Sequence, residues 1–157
     1  MAYGGSDGAA GQVIAITQFT GEYRWLSNFW FCPVVYDGVT YNSVEHAYQA
    51  AKTLDTKQRV HIQHLDRPGA AKKQGRMLTL RADWGQIKLD VMHNLLQQKF
   101  LQPALREKLL QTGDVQLIEG NSWGDTFWGV WRGGGENHLG RLLVQVRSEL
   151  QYREELH

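Results

Sequence analysis

Two stretches of the sequence combine residue types that could do chemistry. The first stretch contains Glu45, His46, Tyr48, Gln49 and Lys52, which follow the helical spacing i, i+3, i+4 and i+7 counted from Glu45. This spacing predicts that Glu45 and Lys52 share one helical face, about 10 Å apart along the axis. A carboxyl group can act as a general acid or base, and a desolvated lysine amine can act as a nucleophile. Two structural alternatives remain open: Glu45 in a capping box with Asn42, and Lys52 as an exposed lysine.

The second stretch is an aromatic, glycine-rich segment between two apolar segments. Residues 120–140 contain seven Gly, three Trp and one Phe. Flat rings offer stacking surfaces, Gly allows backbone N–H groups to approach a ligand, and a helix starting near Asn137 would direct its N-terminus at an anion. We therefore expect a binding loop for a ligand with a flat base and a phosphate. Alternatively, the rings only cover an edge of the core; they are Trp123, Phe127, Trp128 and Trp131.

Composition restricts the function classes. The chain has 157 residues, 42% of them hydrophobic, and a formal net charge of +1, which indicates one core and no overall field that favours nucleic acid or membrane. A single cysteine, Cys32, excludes an intramolecular disulfide. No apolar run approaches the roughly 20 residues of a membrane span. We expect a cytoplasmic protein with a flexible tail over residues 1–11, one domain over residues 12–157, no metal and no other cofactor.

The element pattern predicts an α+β fold. A strand is expected over 13–19, and Asp37-Gly38 predicts a tight hairpin between two short strands. Capping signals and apolar spacing then predict five helices and one more strand before the last helix. The helices are expected at about 43–54, 55–65, 70–77, 84–100 (the longest) and 103–113, the strand at 115–119, and the last helix at about 139–150.

An ordered set of motifs covers nearly the whole chain, from about Phe19 to about Leu150. The motifs are Leu26-Ser27-Asn28-Phe29, the segment 43–52, Leu80-Arg81-Ala82-Asp83-Trp84, Gln98-Lys99-Phe100, Asp125-Thr126-Phe127-Trp128-Gly129 and Asn137-His138-Leu139-Gly140. This set resembles the NADAR family. The resemblance implies a single YbiA-like α+β domain, mostly helical with a small antiparallel sheet. It also implies hydrolysis of an N-glycosidic bond at a ribose C1′.

The resemblance and the chemistry of C–N cleavage together assign candidate roles. Cleavage builds positive charge at C1′ while the amine needs a proton, so Glu45 is the first candidate for acid/base work. Asp125 ranks second, to orient water or hold ribose hydroxyls, with an Asx-turn role as its alternative. Lys52 could pair with Glu45, contact phosphate or form a Schiff base. The candidate substrate contacts are Arg24, Arg76 and Arg81 for phosphate, Trp84 as a lid or a packing anchor, Trp128 for stacking, and Asn28, Phe29, Tyr48, Gly129 and Asn137.

Two substrate classes are known for the family that the chain resembles. Some members cleave ribosylamino-pyrimidine 5′-phosphates of riboflavin synthesis, and others remove ADP-ribose from the exocyclic amine of guanine in DNA or RNA. Aromatic rings, several separate arginines and a glycine-rich helix start make ADP-ribosylated guanine the first expectation here. The riboflavin intermediate is the alternative enzyme substrate. A non-catalytic module that binds ADP-ribose or a nucleotide is the alternative outside enzymes.

Overall fold

The computed structural model describes residues 2–4 and 13–156. Helices dominate, as predicted, and the strands are short. The strands are β1 Ala2–Gly4, β2 Val13–Ile16, β3 Phe31–Tyr36, β4 Val39–Ser43 and β5 Gln116–Leu117. The α-helices are α1 Val44–Ala51, α2 Thr56–Gln63, α3 Pro68–Gln74, α4 Trp84–Lys99, α5 Pro103–Gln111 and α6 His138–Glu155. Short 3₁₀ helices cover Gly21–Leu26 and Gly75–Met77. The chain forms two compact units, one of residues 28–101 and one of the flanking segments.

In the unit of residues 28–101, a hairpin and three α-helices surround α1. Strands β3 and β4 pair antiparallel, and the turn between them has φ of 48° at Asp37 and 76° at Gly38. Positive φ at both positions is the geometry that a two-residue hairpin turn requires, so the Asp-Gly prediction is confirmed. All eight residues of α1 are buried. Helix α1 packs against α2, α3, α4 and both strands, which makes it the central helix of this unit.

The other unit contains the three-stranded sheet and the two C-terminal helices. Strand β2 pairs antiparallel with β1 and parallel with β5, so this small sheet is mixed. Of the predicted flexible tail, the structure describes only β1; residues 1 and 5–11 lie outside the described residues. Helix α5 begins with Pro103 at a position that needs no N–H donor. Helix α6 has 18 residues and α4 has 16, so the prediction that residues 84–100 form the longest helix is wrong.

Local capping chemistry explains several helix starts. Asp55 accepts a hydrogen bond from the backbone N–H of Gln58 and caps α2, as predicted. Asp83 precedes α4 but makes no side-chain capping bond, because its carboxylate instead pairs with Arg81 at 2.6 Å. Within the part of the chain that the structure describes, no helix is long and apolar enough to cross a membrane.

Candidate active site

Glu45 lies in the first turn of α1, and it is not the capping residue. Ser43 Oγ caps the helix by accepting the backbone N–H of His46 at 3.1 Å. The imidazole of His46 also contacts Ser43 Oγ through Nδ1 at 2.7 Å. The Glu45 N–H donates to the carbonyl oxygen of Asn28 at 3.1 Å. The alternative in which Glu45 closes a capping box with Asn42 is therefore wrong, since the cap is one residue later.

The Glu45 side chain is buried and has a dedicated donor. Its relative exposure is 7%, and Gln49 Nε2 donates to its Oε1 at 2.8 Å. A buried carboxylate is tolerated when donors and a helix N-terminus compensate its charge, and both are present in the first turn of α1. The sequence placed Gln49 on this helix beside Glu45 but gave it no role in the site. Its i, i+4 relation to Glu45 on a buried helix was the available signal.

Two residues that are hydrogen-bonded to Glu45, Asn28 and Gln49, each carry a buried side-chain oxygen. Asn28 Oδ1 and Gln49 Oε1 have no hydrogen-bond partner among the described residues. The Asn28 amide nitrogen contacts Met92 Sδ at 3.5 Å. Buried carbonyl oxygens are normally paired. Asn28, Glu45 and Gln49, which we call the acceptor cluster, therefore include one unpaired oxygen, Asn28 Oδ1, that a hydrogen-bond donor of a ligand can satisfy, while Gln49 Oε1 lies against Gly75.

Lys52 directly follows the last residue of α1 and is half-buried. Its Nζ lies 5.1 Å from the centre of the Tyr48 ring, a cation–π distance. The Tyr48 ring packs at 5.2 Å from the Trp84 ring, and both residues are only 6% exposed. Of the two alternatives for Trp84, the structure describes the packing anchor at the start of α4. Phe29, another candidate substrate contact, is more accessible than Tyr48 and Trp84, because 41% of its surface is exposed.

The three candidate phosphate-binding arginines differ in their surroundings. Arg81 is largely buried and donates to both carboxylate oxygens of Asp83, which raises the pKa of Arg81 and lowers that of Asp83. Its Nη1 also donates to Tyr36 Oη at 3.2 Å. The guanidinium fork of Arg81 thus already holds a carboxylate. Arg24 and Arg76 are exposed, and Arg24 donates to the Gly21 carbonyl at 3.2 Å.

The predicted binding loop belongs to the unit that contains α6, and Asp125 organises it. Asp125 Oδ1 accepts the backbone N–H groups of Phe127 at 3.1 Å and Trp128 at 2.9 Å. Asn121 exchanges two hydrogen bonds with the Asp125 backbone. These contacts form the Asx turn that was the structural alternative for Asp125. The Trp128 ring meets the Phe127 ring edge-on at 4.9 Å, whereas Trp123 is 58% exposed.

Three backbone N–H groups at the N-terminus of α6, where an anion site was expected near Asn137, already have protein acceptors. The backbone N–H groups of Asn137, His138 and Leu139 donate to loop carbonyls of Gly129, Phe127 and Trp128. The Asn137 side chain is also occupied, because Oδ1 accepts from Glu119 N and Nδ2 donates to Leu117 O, both at 3.0 Å. A Cβ on Gly129 would lie 2.1 Å from Glu119 O. This glycine makes room for protein backbone.

A surface cavity of about 450 Å³ lies in the same unit as the loop. The residues that line it are Ile16, Tyr23, Trp25, Lys108, Gln111, Thr112 and Val115. None of the candidate catalytic or substrate-binding residues is in this lining. The acceptor cluster and Lys52 therefore remain the described groups best suited to chemistry.

Comparisons with known proteins agree with the fold and the motifs. A model of the NADAR domain matches residues 17–151. The chain is 37% identical over 142 residues to the N-glycosidase YbiA of Escherichia coli, with 88% of each chain covered. It is 38% identical over 134 residues to a riboflavin biosynthesis protein of Vibrio vulnificus, covering 83% of this chain and 36% of that protein. The NMR structure of E. coli YbiA superimposes with a TM-score of 0.78 at 35% identity, covering 92% of each chain.

Proposed function

Because the chain belongs to the NADAR domain family, we propose that it is an N-glycosidase that hydrolyses the bond between a ribosyl C1′ and an amine nitrogen. The names of its relatives support a hydrolase acting on N-glycosyl bonds. The observation that carries the proposal here is the buried Glu45 carboxylate, hydrogen-bonded to Gln49 and accompanied by unpaired acceptor oxygens within the described residues. The carboxylate can stabilise the positive charge that develops on a ribosylamine during cleavage. The acceptor oxygens can accept hydrogen bonds from its N–H and hydroxyl groups.

Glu45 supplies the negative charge that the reaction needs. As the C1′–N bond breaks, positive charge develops on C1′ and the ring oxygen, and a nearby carboxylate stabilises it. The hydrogen bond from Gln49 favours the ionised form of Glu45. In this form Glu45 takes a proton from the water that attacks C1′. It then gives that proton to the departing nitrogen, which leaves as a free amine.

Asn28 serves as a substrate contact in this proposal. Its side-chain oxygen is buried and lacks a partner among the described residues. A ribose hydroxyl or an amine N–H is a donor that would satisfy it. Recognition of this kind discriminates against analogues without the donor, because the oxygen would then stay buried and unpaired.

Lys52 has two chemically distinct roles available. As a charged group above Tyr48, it contributes a positive field to the phosphate or to Glu45. As a neutral amine it attacks C1′ of the ring-opened imine. Both protons of the Lys52 amine move to the original nitrogen, which leaves as a free amine, and a Lys52–C1′ imine remains. Water then releases the sugar. The expectation that Lys52 takes part in catalysis is retained, and the variants described below separate the two roles.

We favour a ribosylamino-pyrimidine phosphate as the substrate. The Vibrio vulnificus relative is named a riboflavin biosynthesis protein. Two of the arguments for the larger ADP-ribose also lose support, because Arg81 is engaged by Asp83 and the first N–H groups of α6 are engaged by loop carbonyls. A monophosphate needs fewer donors, and the exposed arginines Arg24 and Arg76 remain candidates for it.

ADP-ribosylated guanine in DNA or RNA is the second candidate substrate. The exposed Trp123 ring favours it, since an exposed indole can stack on the adenine or guanine of a larger ligand. Asp125 and Trp128 belong to the same loop and remain candidate contacts. Asn137 and Gly129 are not used in the proposal, because protein groups occupy their surroundings.

One experiment separates the candidates. The protein is incubated in parallel with a ribosylamino-pyrimidine 5′-phosphate and with guanine-ADP-ribosylated DNA, and the released sugar species are measured by mass spectrometry. Faster release of ribose 5-phosphate supports the favoured substrate, whereas faster release of ADP-ribose supports the second. Binding of ADP-ribose or a nucleotide without any turnover would contradict the N-glycosidase proposal and support a binding module.

A further inference from the structure

Gly75 is a glycine whose backbone does not require one. It follows α3 with φ of −56° and ψ of −25°, which is ordinary right-handed helical geometry open to any residue. Alanine would be intrinsically better at such a position. Glycine at position 75 therefore needs another explanation, and its surroundings supply one.

The Gln49 side chain occupies the space that a side chain at position 75 would need. A Cβ built on Gly75 would lie 1.9 Å from Gln49 Oε1 and 2.6 Å from Gln49 Cδ. Both distances are far inside van der Waals contact, which is about 3.5–4.0 Å for carbon atoms. Gln49 is only 4% exposed and belongs to the buried helix α1, so its amide has little room to retreat.

The same amide group holds Glu45. Its Nε2 donates to Glu45 Oε1 at 2.8 Å, while its Oε1 has no hydrogen-bond partner among the described residues. The orientation of the amide therefore depends on the bond to Glu45 at one end and on packing against Gly75 at the other. A group at position 75 that displaces the amide would break or lengthen the bond to Glu45.

We infer that Gln49 and Gly75 are positioning residues for the Glu45 carboxylate: Gly75 leaves the space in which the Gln49 amide is held, and Gln49 orients Glu45 toward C1′. This inference rests on the proposed role of Glu45 in N-glycosidic cleavage. Neither residue needs to touch the substrate. The arrangement is a three-residue support that runs from the end of α3 through α1 to the carboxylate.

The test is a double-mutant cycle with a matched glycine control. Gly75→Ala should lower kcat by about 10- to 100-fold with KM changed less than about threefold, because a misplaced catalytic group slows the chemical step. Gly85→Ala, in the first turn of α4 where no described atom lies within 4 Å of the added Cβ, should leave kcat unchanged. Gln49→Ala should lower kcat similarly. Adding Gly75→Ala to Gln49→Ala should then cost less than about twofold more, because the clash partner is gone.

A second variant keeps the inference testable if Gly75→Ala fails to fold. Gln49→Met retains much of the side-chain volume but cannot donate to Glu45. It should lower kcat and move the acidic limb of the pH–rate profile to higher pH, since the carboxylate loses a hydrogen bond that favours its ionised form. A merely structural role of Gln49 would lower the melting temperature without moving that limb.

The outcomes distinguish this inference from the proposed function. If Glu45→Gln is inactive but Gly75→Ala and Gln49→Met turn over normally, the positioning inference is wrong and the proposed function stands. Fully additive losses of kcat in the cycle would also overturn it, since Gly75 would then act without Gln49. If Glu45→Gln itself retains normal activity, the proposed role of Glu45 is wrong, and the positioning inference is overturned with it.

Discussion

The burial of Lys99 predicts that the free energy of unfolding depends measurably on pH. Lys99 lies in α4 and is completely buried. Burial lowers its pKa from 10.5 to about 7, opposed by the nearby Cys32. Burial also raises the pKa of the Cys32 thiol, so this group offers little countercharge near neutral pH. The unfolded chain therefore binds the Lys99 proton more tightly than the folded protein does. Stability should increase as pH rises above about 7.

The magnitude follows from the two pKa values. The whole difference between 10.5 and about 7 corresponds to about 5 kcal/mol across the window between them. Between pH 7 and pH 8.5 the same linkage gives an increase of about 2 kcal/mol in the free energy of unfolding. Restricting the measurement to pH 8.5 limits the ionisation of Cys32 in the unfolded chain and nearly avoids that of Tyr23 and Tyr41. Their raised folded pKa values act in the opposite direction at higher pH.

The assay is urea unfolding of wild type and Lys99→Met at pH 7 and pH 8.5. Wild type should gain about 2 kcal/mol between the two pH values, whereas Lys99→Met should show little of this increase. Lys73→Met removes an exposed lysine on α3 and serves as the matched control, with the wild-type dependence expected. An equal pH dependence in wild type and Lys99→Met would refute the reasoning.

Three further predictions concern the candidate site. Glu45→Gln should lower kcat by about 10²- to 10⁴-fold with ligand affinity changed only a few-fold, because the amide cannot exchange a proton; near-normal turnover by the folded variant would contradict it. Trp128→Ala should weaken substrate binding by roughly 1–3 kcal/mol if the ring stacks on a base. If the ring only packs on Phe127, calorimetry should instead show lost stability and unchanged affinity of the folded fraction. If Lys52 forms an imine, Lys52→Arg should be inactive, and borohydride added during turnover should leave a sugar-derived adduct on Lys52, detected by peptide mass spectrometry. Substrate consumption without an adduct would exclude that step.

Much of the fold could be predicted because its signals are local. Asp37-Gly38 predicted the hairpin since both positions need positive φ. Asp55 predicted the start of α2, and Pro103 that of α5. The sequence spacing predicted a capping box at Asn42, whereas Ser43, one residue later, caps the helix. The choice of Ser43 depended on His46, whose imidazole and backbone N–H both use the Ser43 hydroxyl.

Helical spacing in the sequence could predict only which residues of the candidate site share a face of α1. The burial of Glu45 and its proximity to the amide of Gln49 require the packing of α3 and the hairpin around α1, which involve residues distant in sequence. Arg81 differs, because its competing partner is local. Its guanidinium group was expected to bind phosphate, but Asp83, two residues later, accepts hydrogen bonds from the same donors.

Glycine shows why the aromatic loop was harder to interpret than the first helix. A glycine that lets a ligand approach and a glycine that lets another backbone segment approach are identical in sequence. At Gly129 and Gly140 the structure places carbonyl oxygens of Glu119 and Leu117 about where a Cβ would lie, so both glycines serve protein packing. At Gly75 the space that a Cβ would need is filled by the side-chain amide of Gln49, whose nitrogen donates a hydrogen bond to Glu45. Close approach at a glycine therefore points to function when the group brought near is bonded to a catalytic candidate. By that criterion the glycine that matters for the proposed role of Glu45 is Gly75, where α3 meets α1. The sequence shows no glycine motif at this position.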